Sequence, residues 1–111
     1  METGNQKDYV IEKLNSYKDR DILITPHAKA QAYVRGISEQ EIKENLRNPK
    51  RLAFAGKQEA RKDEEKFDCY FVYSNTQCQR YVIVFGRLLI VCTAIKVNRR
   101  WQKRVERYER I

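Results

Sequence analysis

Residues 24–49 read ITPHAKAQAYVRGISEQEIKENLRNP, and their punctuation sets out two short helices. Thr25-Pro26 is a helix start. A Thr side chain accepts from free backbone N–H groups of the first turn, and Pro at the first helical position gives up a donor that has no partner there. The spacing predicts a helix to about Val34, with Ala28 and Ala32 on one face and small enough to pack closely on a neighbour. Arg35-Gly36 ends it. Ser38-Glu39-Gln40-Glu41 reads as a capping box, with Ser38 as N-cap and Glu41 at the third helical position. Ile37 and Ile42 take the two positions of a hydrophobic staple. The second helix turns Ile42 and Leu46 inward and stops at Asn48-Pro49, as helices do before proline. The pair makes an αα-hairpin.

Upstream, Val10, Leu14 and Tyr17 recur at helical spacing between Lys7 and Lys18, and residues 1–6 read as a flexible tail. Ile22 to Ile24 is a short apolar run of strand type. Downstream the period changes. Leu52 to Phe54 is a strand candidate, and Gly56 to Lys66 is charged and patternless, so it reads as a loop. Asp68 to Tyr73 alternates, with Cys69, Phe71 and Tyr73 on one face and Tyr70 and Val72 on the other. Arg80 to Phe85 is another strand, with Arg80 sharing a face with Val82 and Val84. Gly86-Arg87 suits a two-residue hairpin turn. Leu88 to Val97 is nearly continuously apolar, which predicts a central strand buried on both faces. From Asn98, Trp101, Val105 and Tyr108 form one helical stripe. The expected fold is α+β in a single domain, 1–111. N-terminal helices precede an antiparallel sheet of about three to four strands and a C-terminal basic helix.

The 111 residues carry 23 Lys and Arg against 15 Asp and Glu, a net charge of +8. Residues 1–55 contribute +2 and residues 56–111 contribute +6. A basic surface attracts polyanions, of which nucleic acid is the commonest. Mixed charge signs with 7 Tyr, 4 Phe and 1 Trp favour a folded chain over a disordered one. No apolar stretch is long enough for a membrane helix. With no export signal, the chain reads as cytoplasmic. Three cysteines, none in a C-x-x-C pair, read as reduced thiols rather than metal ligands.

Several side chains are candidates for chemistry. His27, the sole histidine, sits at the second position of a capped helix. Free N–H groups there attract anions such as phosphate and favour a neutral imidazole, which can act as a base. The ordinary alternative is a surface or capping histidine. Arg99, Arg100, Lys103, Arg104, Arg107 and Arg110 crowd the terminal segment, with only Glu106 and Glu109 against them. Arg80, Arg87 and Lys96 lie on or beside strands, with Tyr70, Tyr73 and Tyr81 as aromatics that either stack bases or simply pack. Glu64-Glu65-Lys66 fits part of a metal-dependent nuclease pattern, with Asp21 as a remote partner. A charged loop is the commoner meaning of such a run. No metal or other cofactor is expected. Only 4 Gly and no phosphate-cradling loop or serine elbow count against nucleotide-hydrolysing and serine-hydrolase classes.

The stretch 24–49 resembles the opening of a domain-of-unknown-function family related to the BrnT and RelE toxins of toxin–antitoxin systems. Members show a T-x-H-A start, an R-G-I-S helix link and an acidic second helix before a sheet. LLIVCTAIKVNRRW, Leu88 to Trp101, resembles their last strand, so the likeness spans residues 22–101. It implies a compact RelE/BrnT-like fold and a metal-independent endoribonuclease of toxin type, with RNA, the ribosome and an antitoxin protein as partners. In such enzymes the ribose 2′-hydroxyl attacks the adjacent phosphate. His27 matches the T-x-H-A histidine and Arg35 the R-G-I-S arginine. Chemistry alone adds Arg80 and Tyr81 to that catalytic set. It also adds Arg87, Lys96, Arg99, Arg100, Lys103, Arg104 and Arg107 as nucleic-acid contacts. Two other classes stay open: a non-catalytic RNA- or DNA-binding protein, and a basic interaction domain for an acidic partner.

Overall fold

The structure, a computed structural model, describes residues 4–97. The expected C-terminal basic helix, with Arg99, Arg100, Lys103, Arg104 and Arg107, lies outside the described residues. Helix α1 (Lys7–Leu14) leads into a 3-10 turn (Asp19–Asp21) and strand β1 (Ile22–Ile24). Helices α2 (Pro26–Val34) and α3 (Glu39–Arg47) follow, then strands β2 (Leu52–Gln58), β3 (Glu65–Val72), β4 (Cys78–Phe85) and β5 (Leu89–Val97). Among the described residues no helix is long and apolar enough to cross a membrane.

The αα-hairpin forms for the local reasons its sequence states. Thr25 Oγ1 accepts from the Ala28 N–H at 3.1 Å, with Pro26 opening α2. Gly36 takes φ +70°, and the Gly36 and Ile37 N–H groups donate to the carbonyls of Tyr33 and Ala32 at 3.1 and 2.8 Å. That is a Schellman turn, which needs a left-handed residue where a side chain would be strained. Ser38 Oγ accepts from the Glu41 N–H at 3.0 Å. The reciprocal half of the capping box does not form, because the Glu41 side chain turns away to the sheet.

The sheet is five-stranded and mixed, in the order β1-β5-β4-β3-β2. This corrects the expected antiparallel sheet of three to four strands. β1 pairs parallel with β5, Ile22 opposite Leu89 and Ile24 opposite Val91, while the other pairs are antiparallel. Three further corrections follow. The region expected as a loop contributes to both β2 and β3, since Gly56, Lys57 and Gln58 pair with Asp68, Phe67 and Lys66. A backbone ladder does not require apolar side chains, and an edge strand tolerates charge. The β4–β5 turn has three residues, Gly86 to Leu88, because Phe85 pairs with Leu89. β5 is not buried on both faces: only Leu89, Val91, Ala94 and Val97 are buried along it, and β1 flanks only Leu89 to Val91. The central covered strand is β4.

Helices and sheet enclose one main core. Val10 and Leu14 of α1, Ala28 and Ala32 of α2, and Ile42 and Leu46 of α3 meet Cys69, Phe71, Tyr81, Ile83 and Val91. The alternation expected for β3 and β4 holds, since Tyr70 belongs to a second cluster with Phe54, Cys78 and Val97 on the opposite face. The three cysteines are free, as expected, with Cys69 and Cys78 buried. Asn5 and Gln6 hydrogen-bond to β2. Asn5 Nδ2 donates to Ala53 O at 3.1 Å, Asn5 Oδ1 accepts from Ala55 N at 3.0 Å, and Gln6 N donates to Ala55 O at 2.7 Å. On the far edge, Gln31 Oε1 accepts from Ala94 N at 3.1 Å and Arg35 Nη1 donates to Lys96 O at 3.2 Å. Side chains thus occupy ladder groups that an open edge would offer to another chain.

Candidate active site

The side chains singled out in the sequence do not form one constellation. His27 is exposed on the first turn of α2. Arg35 lies eight residues further along, about 12 Å of helix rise away, and holds the Lys96 carbonyl. Arg80 is on the second face of the sheet, bound through Nε and Nη2 to Asp68 Oδ1 and Oδ2 at 2.6 and 3.1 Å. The Asp68 side chain is only 3% exposed, so this paired, two-pronged contact is a structural anchor. Tyr81 points the other way, into the main core, and is fully buried. Arg87 is exposed in the β4–β5 turn, whereas Lys96 pairs with Gln79 at the opposite end of the same hairpin. About 23 Å of strand separates them. Of the described members of the set, Arg35 and Lys96 meet, through the Lys96 carbonyl.

What surrounds Tyr81 is a closed ring of hydrogen bonds. Glu41 and Asn45 lie one helical turn apart on α3, Gln79 and Tyr81 alternate on β4, and Tyr73 follows the end of β3. Asn45 Nδ2 donates to both tyrosine hydroxyls, at 3.1 Å to Tyr73 and 2.9 Å to Tyr81. The Tyr73 hydroxyl donates on to Glu41 Oε2 at 2.9 Å. The Tyr81 hydroxyl donates to Gln79 Oε1, and Gln79 Nε2 donates to Glu41 Oε2 at 3.1 Å. Every proton in the ring runs toward one carboxylate oxygen. Glu41 Oε1 accepts no hydrogen bond among the described residues. Satisfied buried networks of this kind fix side-chain positions.

Neighbouring elements hold the ring in place. The Tyr73 and Ser74 N–H groups both donate to Gln77 O, at 2.9 and 3.0 Å, closing the β3–β4 turn. The Arg51 guanidinium sits 4.0 Å from the centre of the Tyr73 ring, a cation–π contact. Burial pushes the Tyr73 hydroxyl above its ordinary range and the Tyr81 hydroxyl much further. Both therefore stay protonated as donors at neutral pH, and Tyr81 is a poor general acid. Outside the ring is a cavity of about 200 Å³ lined by Glu41, Tyr73, Gln77, Cys78, Gln79 and Lys96. The cavity therefore joins one carboxylate and one ammonium.

The acidic run at the other end of β3 is differently employed. Glu65 accepts from Lys13 Nζ at 2.8 Å and from the Tyr9 hydroxyl at 2.6 and 2.8 Å, while Asp21 Oδ2 accepts from Lys18 N at 2.9 Å. Among the described residues, no three His, Cys, Asp or Glu side chains gather closely enough to hold a metal ion. Sequence reasoning missed Asn45, Gln79 and the role of Glu41. A signal existed for Asn45, a polar residue beside the inward Ile42 and Leu46. For Glu41 the cap position offered a sufficient local explanation and hid the other one.

Comparison with known proteins finds no matching family model, no similar curated protein and no similar solved structure.

Proposed function

We propose that the protein is a metal-independent endoribonuclease that cleaves RNA by attack of the ribose 2′-hydroxyl on the adjacent phosphate. The observation that carries this reading is the Glu41 carboxylate. Two neutral donors fix one of its oxygens, the other accepts no hydrogen bond among the described residues, and Lys96 lines the same cavity. RNA brings its own nucleophile, so a base for the 2′-hydroxyl and a cation for the phosphate are enough to start the reaction. The net charge of +8 favours the polyanion. The resemblance to the BrnT- and RelE-related family supports the same reaction class.

Glu41 takes the 2′-hydroxyl proton, and the 2′-oxygen bonds to phosphorus. The Lys96 ammonium stabilises the added charge and protonates the leaving 5′-oxygen as the P–O5′ bond breaks. The products are a 2′,3′-cyclic phosphate and a 5′-hydroxyl. Tyr73, Gln79, Asn45 and Tyr81 are positioning residues that aim the carboxylate. Arg35 supports the site through the Lys96 backbone.

The test is single-turnover cleavage of end-labelled single-stranded RNA in EDTA, with and without translating ribosomes. Wild type is expected to leave cyclic-phosphate ends. Glu41→Gln keeps an acceptor for Tyr73 and Gln79, and is expected to slow cleavage about 100-fold or more with an unchanged fold. If wild type cuts neither substrate yet retains RNA in a salt-sensitive way, the protein binds without catalysis. If Glu41→Gln cuts as fast as wild type, the carboxylate is not the base.

A further inference from the structure

We propose that the second face of the sheet, turned away from α1, α2 and α3, is the docking site of the chain's own C-terminal segment, residues 98–111, which packs there as an amphipathic helix. The inference does not depend on the ribonuclease reading. It starts from burial. Phe54, Tyr70, Cys78, Val82, Val84 and Val97 are only 1–8% exposed. Four of them make the second cluster, and Val82 and Val84 alternate along β4 with the main-core residues Tyr81, Ile83 and Phe85. Among the described residues that cluster is built from strand residues alone, while the helices put their buried apolar side chains into the main core. The Asp68–Arg80 ion pair lies on the second face too, and the Asp68 side chain is 3% exposed. A sheet face open to water shows exposed side chains at alternate positions. One this dry has a layer packed on it.

Chain geometry selects the occupant. Cys78 pairs with Val72 on one side and Val97 on the other, so one apolar row of the second cluster crosses β3, β4 and β5 and ends at Val97. The described chain also ends at Val97, so the segment starts at the rim of the cluster. From β5 to Phe54 on β2 is three strand spacings, about 14 Å. Residues 98–111 reach about 21 Å as a helix, enough to cross the whole cluster. Their sequence supplies the matching surface. Trp101, Val105 and Tyr108 recur at helical spacing after Asn98, a residue suited to an N-cap. With that stripe turned to the sheet, Arg99, Lys103, Arg107 and Arg110 fall on the opposite, solvent side of the helix. A segment tethered at the rim has an effective concentration that a free partner does not match.

The test uses the full chain, in which Trp101 is the sole tryptophan. In the folded protein acrylamide is expected to quench its fluorescence several-fold more slowly than that of free tryptophan, at every protein concentration. Cys69 and Cys78, free and buried on opposite faces, report where the segment docks. Val105→Asp puts a charge into the apolar contact and is expected to speed thiol labelling of Cys78 about tenfold relative to Cys69. Lys103→Gln, on the solvent side, is expected to leave that ratio unchanged. Should Val105→Asp label Cys69 as fast as Cys78, the fold is lost and the milder Val105→Ala supplies the ratio instead. Trp101 quenched like the free amino acid in the folded chain overturns the proposal. Shielding that vanishes as dimers dissociate on dilution overturns it too, and assigns the face to a second copy. A Cys78 to Cys69 ratio that stays at the wild-type value in Val105→Ala places the segment elsewhere and overturns it as well.

Discussion

Two carboxylates meet β3 at its opposite ends, Glu65 as its first residue and Glu41 against the tyrosine that follows its last. Glu65 is bound by a cation: Lys13 Nζ is 2.8 Å away, Lys57 Nζ 3.9 Å, and the Tyr9 hydroxyl touches both oxygens. The Lys13 hydrogen bond, with help from Tyr9, holds the Glu65 carboxyl below the usual range. Around it run the rings of Tyr9, Phe67, Phe85 and Tyr17, with centroids 5.7–5.9 Å apart, and the Tyr17 hydroxyl donates to Gly86 O at 2.6 Å. That end is a clasp fastening α1 to the sheet. Glu41 is held by neutral donors alone, with no cation within 4.0 Å among the described residues. A carboxylate stabilised by an ammonium is a weak base. One aimed by an amide and a phenol is positioned without a neutralising cation beside it. The same residue type meets the two ends of one strand, Glu65 from the strand itself and Glu41 from α3, and what donates to each separates a structural carboxylate from the one proposed to do chemistry.

The contrast breaks most severely at Asn45, which is 7% exposed and supplies a donor to both tyrosines. Asn45→Ala leaves two hydroxyls short of a partner and a small void behind them. We expect a loss of about 2–4 kcal/mol, read from denaturant unfolding, together with a drop in cleavage because Tyr73 no longer fixes Glu41. A loss below about 0.5 kcal/mol would mean that the ring does not hold the site together.

At the other end the effect is smaller and depends on pH. The folded Glu65 carboxyl titrates below its unfolded value, so its contribution is present above the unfolded carboxylate pKa. It disappears as pH falls through the depressed folded value. Glu65→Gln should therefore lower stability near neutral pH by about 1 kcal/mol, or roughly 5 °C in Tm. The gap should close in acid, where the wild-type group is protonated too. Cleavage at neutral pH should be unchanged below the melting range. A gap that persists in acid would assign the loss to packing around Tyr9 and not to charge.

Local chemistry made the αα-hairpin legible, since Thr25, Gly36 and Ser38 each satisfy or terminate backbone groups within four residues of themselves. The faces of β3 and β4 were legible for the same reason, because a period of two is local. The parallel β1–β5 pair was not. Its partners are 67 residues apart, Ile22 with Leu89, and no turn signal announces a strand that returns through so much chain. The site was hidden in a related way. Glu41 satisfies a local motif and a long-range one, and only the fold decides between them: Ser38 takes the backbone N–H, while the side chain goes to Tyr73 and Gln79. Sequence pattern finds residues whose partners are neighbours, and every donor to the Glu41 side chain lies on another element.

The smallest expected effect separates the base suggested by sequence from the base suggested by geometry. His27 is exposed at the start of α2, beside Pro26 and remote from the ring that aims Glu41. His27→Ala removes an exposed side chain from a helix whose cap is made by Thr25, so stability should move by less than about 0.5 kcal/mol. Single-turnover cleavage should stay within about twofold of wild type, against the loss of about 100-fold or more expected for Glu41→Gln. The pair of variants works as a switch. If His27→Ala is the slow one and Glu41→Gln the fast one, the chemistry sits at the anion-attracting start of α2. Glu41 would then be a structural carboxylate like Glu65, held by neutral donors for packing alone.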